Sequence, residues 1–322
     1  VKTTEDFRCF YDRELMPHLT GLENRRRAIC RKLGIGAIAT AILAAGIAGV
    51  LLRSATPLAA VFVFIVGGLF MVLLWWLLTR DFVRDFKRTV ISRVVAYCDE
   101  NLGYAADKFI AQSEFKRSTL FKHHIDRYRG EDLVHGTIGK TALQFSEVHA
   151  QYKTTTRDNK GNTRTQWHTI FKGLFFVADF NKHFRGRTVV LPDMAERLFG
   201  HFGHTLQKMN LSRADLVRLE DPEFERQFAV YGTDQVESRY ILSTSLMRRI
   251  LDFRNALKRP LFIAFVSSNV YVAISTHRNM FEPRIFRTLL DFDLVRDYLE
   301  DVQLATGIVA DLNLNNRIWT KQ

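Results

Sequence analysis

Cysteine is scarce, with three in 322 residues and no CxxC pair. That excludes a disulfide scaffold and a dithiol or zinc-thiolate centre. The motifs that announce chemistry are missing as well: there is no HExxH, no GxSxG and no Gly-x-Gly-x-x-Gly. Proline is rare, at six, and no repeat or low-complexity tract interrupts the chain. A composition of 47% hydrophobic and 25% charged residues excludes wholesale disorder. Residues 201–322 carry sixteen basic against fifteen acidic side chains. The concentrated basic face that a nucleic-acid partner requires is therefore lacking.

What is present is concentrated early. A mean hydropathy of -0.08 conceals two uncharged apolar runs. Leu33–Leu52 has twenty residues and Leu58–Leu78 twenty-one, and about 20 apolar residues in helical form cross a bilayer. Two buried core helices are the alternative, and two consecutive runs that both reach the spanning length favour the membrane. A cleaved signal peptide fits poorly, because the first run begins after 32 residues and a second follows at once. Only Arg53–Pro57 separates the runs, so they form a tight antiparallel hairpin with both chain ends on one side. Residues 1–32 carry eight Lys and Arg, the linker one, and residues 80–129 eleven. The positive-inside rule then expects a multi-pass inner-membrane protein with both termini and the soluble part in the cytoplasm. Arg25, Arg26, Arg27, Arg31 and Lys32 before the first run should face lipid headgroups. Trp75, Trp76 and Arg80 should do the same at the end of the second.

The first run also carries two rows of small residues. Gly36, Thr40, Ala44 and Ala48 form one, and Ala37, Ala41, Ala45 and Gly49 the other. Small residues at four-residue spacing let helix backbones approach closely. Both rows are expected to pack, either against the second helix near Gly67 and Gly68 or between chains. The hairpin must pack against itself first.

The fold class expected is α+β: a transmembrane hairpin, a helical cytoplasmic stalk and a mixed soluble domain with two β-hairpins. Residues 1–32 should form an amphipathic helix, capped by Thr3 or Thr4, with Phe7, Phe10, Tyr11 and Leu15 on one side, a kink or restart at Pro17, and Leu19 and Leu22 after it. Residues 33–78 are the hairpin. Residues 79–129 are stalk and connector. There the row Phe82, Phe86, Val90, Val94 and Cys98 predicts a helix to Leu102, stopped by Gly103. Residues 130–322 form the soluble domain. Strands are expected at Thr141–Tyr152 and Trp167–Phe180 around the turn 158–162, at Arg187–Leu191, and at Leu261–Val266 and Val270–Ser275. Helices are expected at Pro192–Phe202, from Asp221-Pro222-Glu223, and at Val236–Leu242 and Thr244–Leu257. A last helix, Leu294–Ala305, should be stopped by Gly307.

No residue is assigned a catalytic, cofactor-binding or metal-binding role. Gly136–Thr141 imitates a phosphate loop, but Val134 stands where a glycine is required and a strand pattern follows. His123 and His124 point apart, and His201 and His204 have no acid at ligand spacing. Cys9, Cys30 and Cys98 have no activating histidine. Capping explains Glu220, Asp221, Glu223 and Glu225, and ion pairing is expected among Asp234, Glu237 and Arg239.

Several runs are specific to one family: Phe145–Thr154, Ile170–Asp193, Leu219–Ser243, Asn279–Pro283 and Leu312–Trp319. With the hairpin they resemble the bacterial membrane family catalogued as domain of unknown function 3137, some of whose members are labelled galanin. The resemblance implies a bacterial inner-membrane protein. Such members are often encoded beside LemA-type membrane proteins, which suggests a partner. No catalytic residues come with the family. Ser238 replaces its usual alanine, a change of small for small. The function expected is a membrane-anchored interaction module, held in the lipid bilayer and without a cofactor, that binds a protein partner (a membrane protein or a second copy of itself) or the membrane surface. The alternative is a tethered enzyme or small-ligand sensor.

Overall fold

The structure, a computed structural model, describes residues 4–53, 57–121, 123–157, 163–180, 182–192, 215–276 and 278–314. The chain divides into two compact units. One comprises Val1–Val94 with Phe281–Tyr298, the other Val95–Met280 with Leu299–Gln322. A consecutive division of the sequence does not contain the return of residues 281–298 to the first unit.

The first unit is built on two long helical rods. α1 (Thr4–Phe10), a π-helical turn (Tyr11–Leu15) and α2 (Met16–Arg53) form one rod. α3 (Pro57–Phe86), a second π-helical turn (Lys87–Ile91) and the start of α4 (Ser92–Cys98) form the other. Just before Pro17, where a kink or restart is expected, the first π turn ends and α2 begins at Met16. Proline offers no N–H and crowds the carbonyl four residues back. A wider turn, closed by Met16 N–H on the Tyr11 carbonyl, relieves that crowding without breaking the helix.

Both π turns sit inside rows of strict four-residue spacing. Phe7, Tyr11, Leu15 and Leu19 are all buried, as are Phe82, Phe86, Val90 and Val94. In a regular α-helix such a row drifts by about 40° per step. A π turn has more residues per turn, cancels part of the drift and keeps each row on one side.

The second unit is organised by nine strands among the described residues. They are β1 (Leu102–Ala105), β2 (Arg127–Ile138), β3 (Thr141–Arg157), β4 (Thr163–Asp179), β5 (Arg187–Pro192), β6 (Asp215–Leu216), β7 (Phe228–Gly232), β8 (Leu261–Val266) and β9 (Asn269–Ser275). They form a single sheet in the order β1-β2-β3-β4-β9-β8-β5-β7-β6. Every pair is antiparallel. The other helices of the described residues are α5 (Gln112–Arg117), α6 (Pro222–Gln227), α7 (Gln235–Ile241), α8 (Thr244–Leu257) and α9 (Phe292–Asp311). Residues 292–298 of α9 belong to the first unit.

The central strands are buried in unbroken runs, as strands covered on both faces must be. Phe262, Ile263, Ala264 and Phe265 of β8 are all buried, and so is Val270–Ile274 of β9. One face packs Phe115, Phe171, Phe175, Phe262 and Tyr271 into a continuous aromatic core. α8 buries Leu246, Met247, Ile250, Leu251 and Phe253 on one stripe.

Several bounds differ from expectation for physical reasons. The stalk helix stops at Cys98, because Asp99 accepts from the amide of Asn101 at 2.9 Å and turns the chain. Leu102–Ala105 then pairs with β2. Gly307 lies inside α9, whose neighbours Ala305, Ile308 and Val309 are buried. Burial outweighs the roughly 1 kcal/mol helix cost of a glycine. Pro192 closes β5, and the rest of the helix expected at Pro192–Phe202 lies outside the described residues, as do Thr3 and the turn 158–162.

Gly173 is the tightest point of the central sheet. Its φ is +149°, and a β-carbon there would lie 2.1 Å from the Ile274 carbonyl oxygen on β9. Gly173→Ala should destabilise the second unit by about 2–4 kcal/mol. Gly307→Ala, where the added carbon meets only Asp311 at 3.6 Å, should stabilise it by up to about 1 kcal/mol. Hydrogen exchange of the β4–β9 amides separates the two. Equal protection in both variants would refute the close-approach argument.

Candidate functional site: the apolar helix pair and its clasp

α2 and α3 pack through small residues. A β-carbon on Gly36 would lie 2.7 Å from Leu74 Cδ2, and one on Gly67 would lie 3.2 Å from Thr40 Cγ2. Thr40 Oγ1 donates to Met71 Sδ at 3.7 Å, and Ala44 and Ala48 are buried. The row Gly36, Thr40, Ala44 and Ala48 therefore faces α3. Ala37, Ala41, Ala45 and Gly49 are exposed among the described residues. A groove of about 560 Å³ runs beside the contact, lined by Thr40, Ala44, Ile47, Val63, Gly67 and Phe70 among others. None of its lining residues is titratable.

Below the apolar run, α2 carries a buried carboxylate. Glu23 is 2% exposed. Arg26 grips it with two parallel bonds of 2.8 Å, and Arg27 Nε adds a third at 2.8 Å. The Leu289 amide donates to it at 3.0 Å. Arg26 also donates to the Ile285 carbonyl at 2.8 Å, which the Cys30 thiol approaches at 3.3 Å. The Arg26 guanidinium holds the Glu23 carboxyl at about 2, against an ordinary 4.5. Burial opposes that shift, and the Leu289 amide and Arg27 reinforce it.

This clasp ties residues 281–298 to the two rods. Lys87 is buried and pairs with Glu282 at 2.8 Å. Phe292 meets Phe7 at 5.7 Å and the edge of Tyr11 at 5.3 Å. Arg8 lies 4.5 Å over the same ring.

The interfacial residues read from the sequence divide accordingly. Arg26 is turned inward. Arg25 pairs with Asp85 at 2.8 Å, bridging the two rods. Arg31 and Lys32 are exposed. Arg80 stacks 4.9 Å over Trp76, and Trp75 contacts Phe286 at 5.2 Å.

In the second unit capping falls to Asp221 and Asp234, while Glu223 pairs with Arg248 at 3.2 Å and Glu225 accepts from the Leu219 amide at 2.8 Å. Asp221 accepts from the Glu223 and Phe224 amides and Asp234 from those of Val236 and Glu237. The expected ion pairing of Glu237 is replaced by backbone capture: its carboxylate holds the amides of Arg185 and Gly186, each at 2.7 Å. Arg239 reaches the Arg218 carbonyl at 3.4 Å. Gly139-Lys140 is a two-residue hairpin loop with glycine at φ +60°, so no helix follows the phosphate-loop lookalike. His123 stacks on Tyr152 at 4.4 Å, which stacks on His168 at 4.9 Å. His201 and His204 lie outside the described residues. Cys9, Cys30 and Cys98 are thiols rather than disulfides.

One cluster was not visible in the sequence. Glu131, Asp132 and Glu147 bring carboxylate oxygens within 4.8 Å of one another. Glu131 and Glu147 are direct cross-strand partners, and Asp132 sits in a bulge at φ +63°. Asp132 accepts from the Tyr104 hydroxyl, and Glu147 from the Met280 amide at 2.9 Å. Only the β2–β3 register, which a bulge disturbs, would have revealed it.

Residues 169–314 match the family model described as "Protein of unknown function (DUF3137)". No curated protein matches the chain. A distant structural neighbour is the crystal structure of the mycobacterial trehalose monomycolate transport factor A, TtfA. It aligns over 66% of this chain and 95% of its own, at 9% identity and a TM-score of 0.34.

Ala44→Leu with Ala48→Leu should cost about 1–3 kcal/mol by overpacking the contact with α3. Ala41→Leu with Ala45→Leu should leave the melting temperature in detergent unchanged. The reverse order would refute the assignment of rows. For Glu23, a folded value below the unfolded one means that its stabilisation is complete above about pH 5 and is lost as pH falls towards 2. Glu23→Gln should cost on the order of 3 kcal/mol at neutral pH and remove this share of the acid sensitivity. Melting curves across that range test it, and parallel profiles for variant and parent would count against the clasp.

Proposed function

The match over residues 169–314 supports membership of the family of unknown function DUF3137, and from that premise we propose a membrane-anchored interaction module. α2 and α3 span a bacterial inner membrane as a hairpin. Both ends of the chain lie in the cytoplasm, where the α+β unit binds a membrane protein partner, a second copy or the lipid surface.

One observation carries the reading. Both rods are long and apolar enough to cross a bilayer, yet only 11% and 6% of their most apolar 18-residue stretches are buried. A core helix of a soluble protein would be mostly buried. Here Ile42, Leu43, Phe62, Leu69 and Val72 are all exposed. Water opposes such exposure by about 25 cal/mol per Å² of apolar surface, whereas hydrocarbon does not. The eight, one and eleven basic residues around the two runs support the sidedness. A tethered enzyme would need convergent titratable groups, and the lining of the helix-pair groove has none.

Two spanning helices hold more firmly than headgroup electrostatics, which salt screens. Neither high salt nor alkaline carbonate should release the protein from membranes. Release by salt alone would overturn the anchor. A reporter active only in the periplasm should stay inactive when fused after Gln322, and activity there would overturn the sidedness.

A further inference from the structure

Residues 283–290 of the first unit form no helix or strand, yet their backbone is firmly held. The Ile285 carbonyl is taken by Arg26 and the Leu289 amide by Glu23. The Ile285 and Leu289 side chains are buried. Between these two anchor points Phe286 is 77% exposed. Arg284 and Arg287 flank it and are exposed as well. Arg284 has a 3.5 Å contact with Asp297, too long and too exposed to hold it strongly.

The place where Phe286 emerges is informative. Its ring lies 5.2 Å from Trp75, at an interplanar angle of 31°. Trp75 is in the last turn of the apolar run that ends at Leu78. Trp76 beside it is 51% exposed, with the Arg80 guanidinium over its ring. One level of the first unit thus gathers Trp75, Trp76 and Phe286 with Arg80, Arg284 and Arg287. Aromatic rings with flanking arginines are the combination that settles at a boundary between hydrocarbon and anionic headgroups.

We infer that Pro283–Arg287 is a separate, non-spanning membrane contact: Phe286 enters the headgroup–acyl boundary, and Arg284 and Arg287 bind the phosphates of anionic phospholipid. The clasp supplies what a free loop lacks, since the backbone is already ordered and insertion costs little further conformational entropy. This inference rests on the reading of α2 and α3 as a membrane hairpin.

Site-specific photo-crosslinking tests it on the full chain. Photoreactive p-benzoylphenylalanine is placed in turn at positions 286, 42 and 13. The protein is reconstituted in vesicles of phosphatidylcholine and phosphatidylglycerol in equal parts. Position 42 is in the middle of the first apolar run. Position 13 is exposed on the same rod, about 30 Å before that run at 1.5 Å per residue. Lipid adducts are expected at 42 and 286 and not at 13. The yield at 286, but not at 42, should fall about twofold or more when phosphatidylglycerol is omitted. Adducts at 42 without adducts at 286 would overturn this inference and leave the hairpin standing. No adduct at 42 would overturn the hairpin and this inference with it. A protein adduct at 286 in place of lipid, or a yield indifferent to phosphatidylglycerol, would likewise refute the contact as stated.

Discussion

Glu23 is a charged carboxylate removed almost wholly from water, and such a group is stable only where donors converge on it. Two of the donors are local, because Arg26 and Arg27 lie one helical turn away. The third is the amide of Leu289, 266 residues further along. That amide makes the site a constraint on the fold rather than a feature of one helix. Local arginines could neutralise the charge anywhere along α2, but only a returning backbone completes the shell. Once residues 285–289 are fixed there, Lys87 finds Glu282, and Phe292 is set between Phe7, Tyr11 and Arg8.

The second unit follows a different logic. Its sheet is antiparallel, yet its middle strands are buried on both faces, so glycine is required where backbones or side chains crowd. Gly173 accommodates the Ile274 carbonyl. A β-carbon on Gly232 would lie 2.0 Å from Ser238 Oγ. Ser238 bonds to Thr188 at 2.9 Å and to the Asp234 carbonyl at 2.7 Å. That packing explains why a small residue stands at position 238, where the resembling family has alanine: either fits beside Gly232, and anything larger would meet β7.

Elements that carry their own signal were legible. The two apolar runs, the capped start at Asp221-Pro222, α8 and the β8–β9 hairpin were all readable from spacing and turn chemistry. Elements that exist only through a partner were not. β1 is four residues long and is a strand because Gly136 lets it approach β2. β7 is five residues directly after a short helix. The π turns left a trace, the strict four-residue rows, which look like ordinary amphipathic spacing until the drift is counted. Small residues signalled close packing without saying which of two adjacent rows would meet α3. The clasp was the least legible feature. Glu23 reads as one more acid among basic residues, and its distant partner is a backbone amide that no side-chain pattern reveals.

The discontinuity of the first unit has a consequence for the order of its assembly. The ribosome delivers α2 and α3 early, but Phe281, which begins their last structural partner, comes 187 residues after Val94. At roughly 5–20 residues per second, that interval is about 10–40 s. Throughout it, Glu23 has its arginines but not the Leu289 amide, and Phe7 and Tyr11 lack the ring of Phe292. Completion of the amino-terminal unit is therefore a late event of biosynthesis. Translation that stops before Phe281 would leave a chain with both long helices made and the surface that residues 281–298 cover in the finished protein bare.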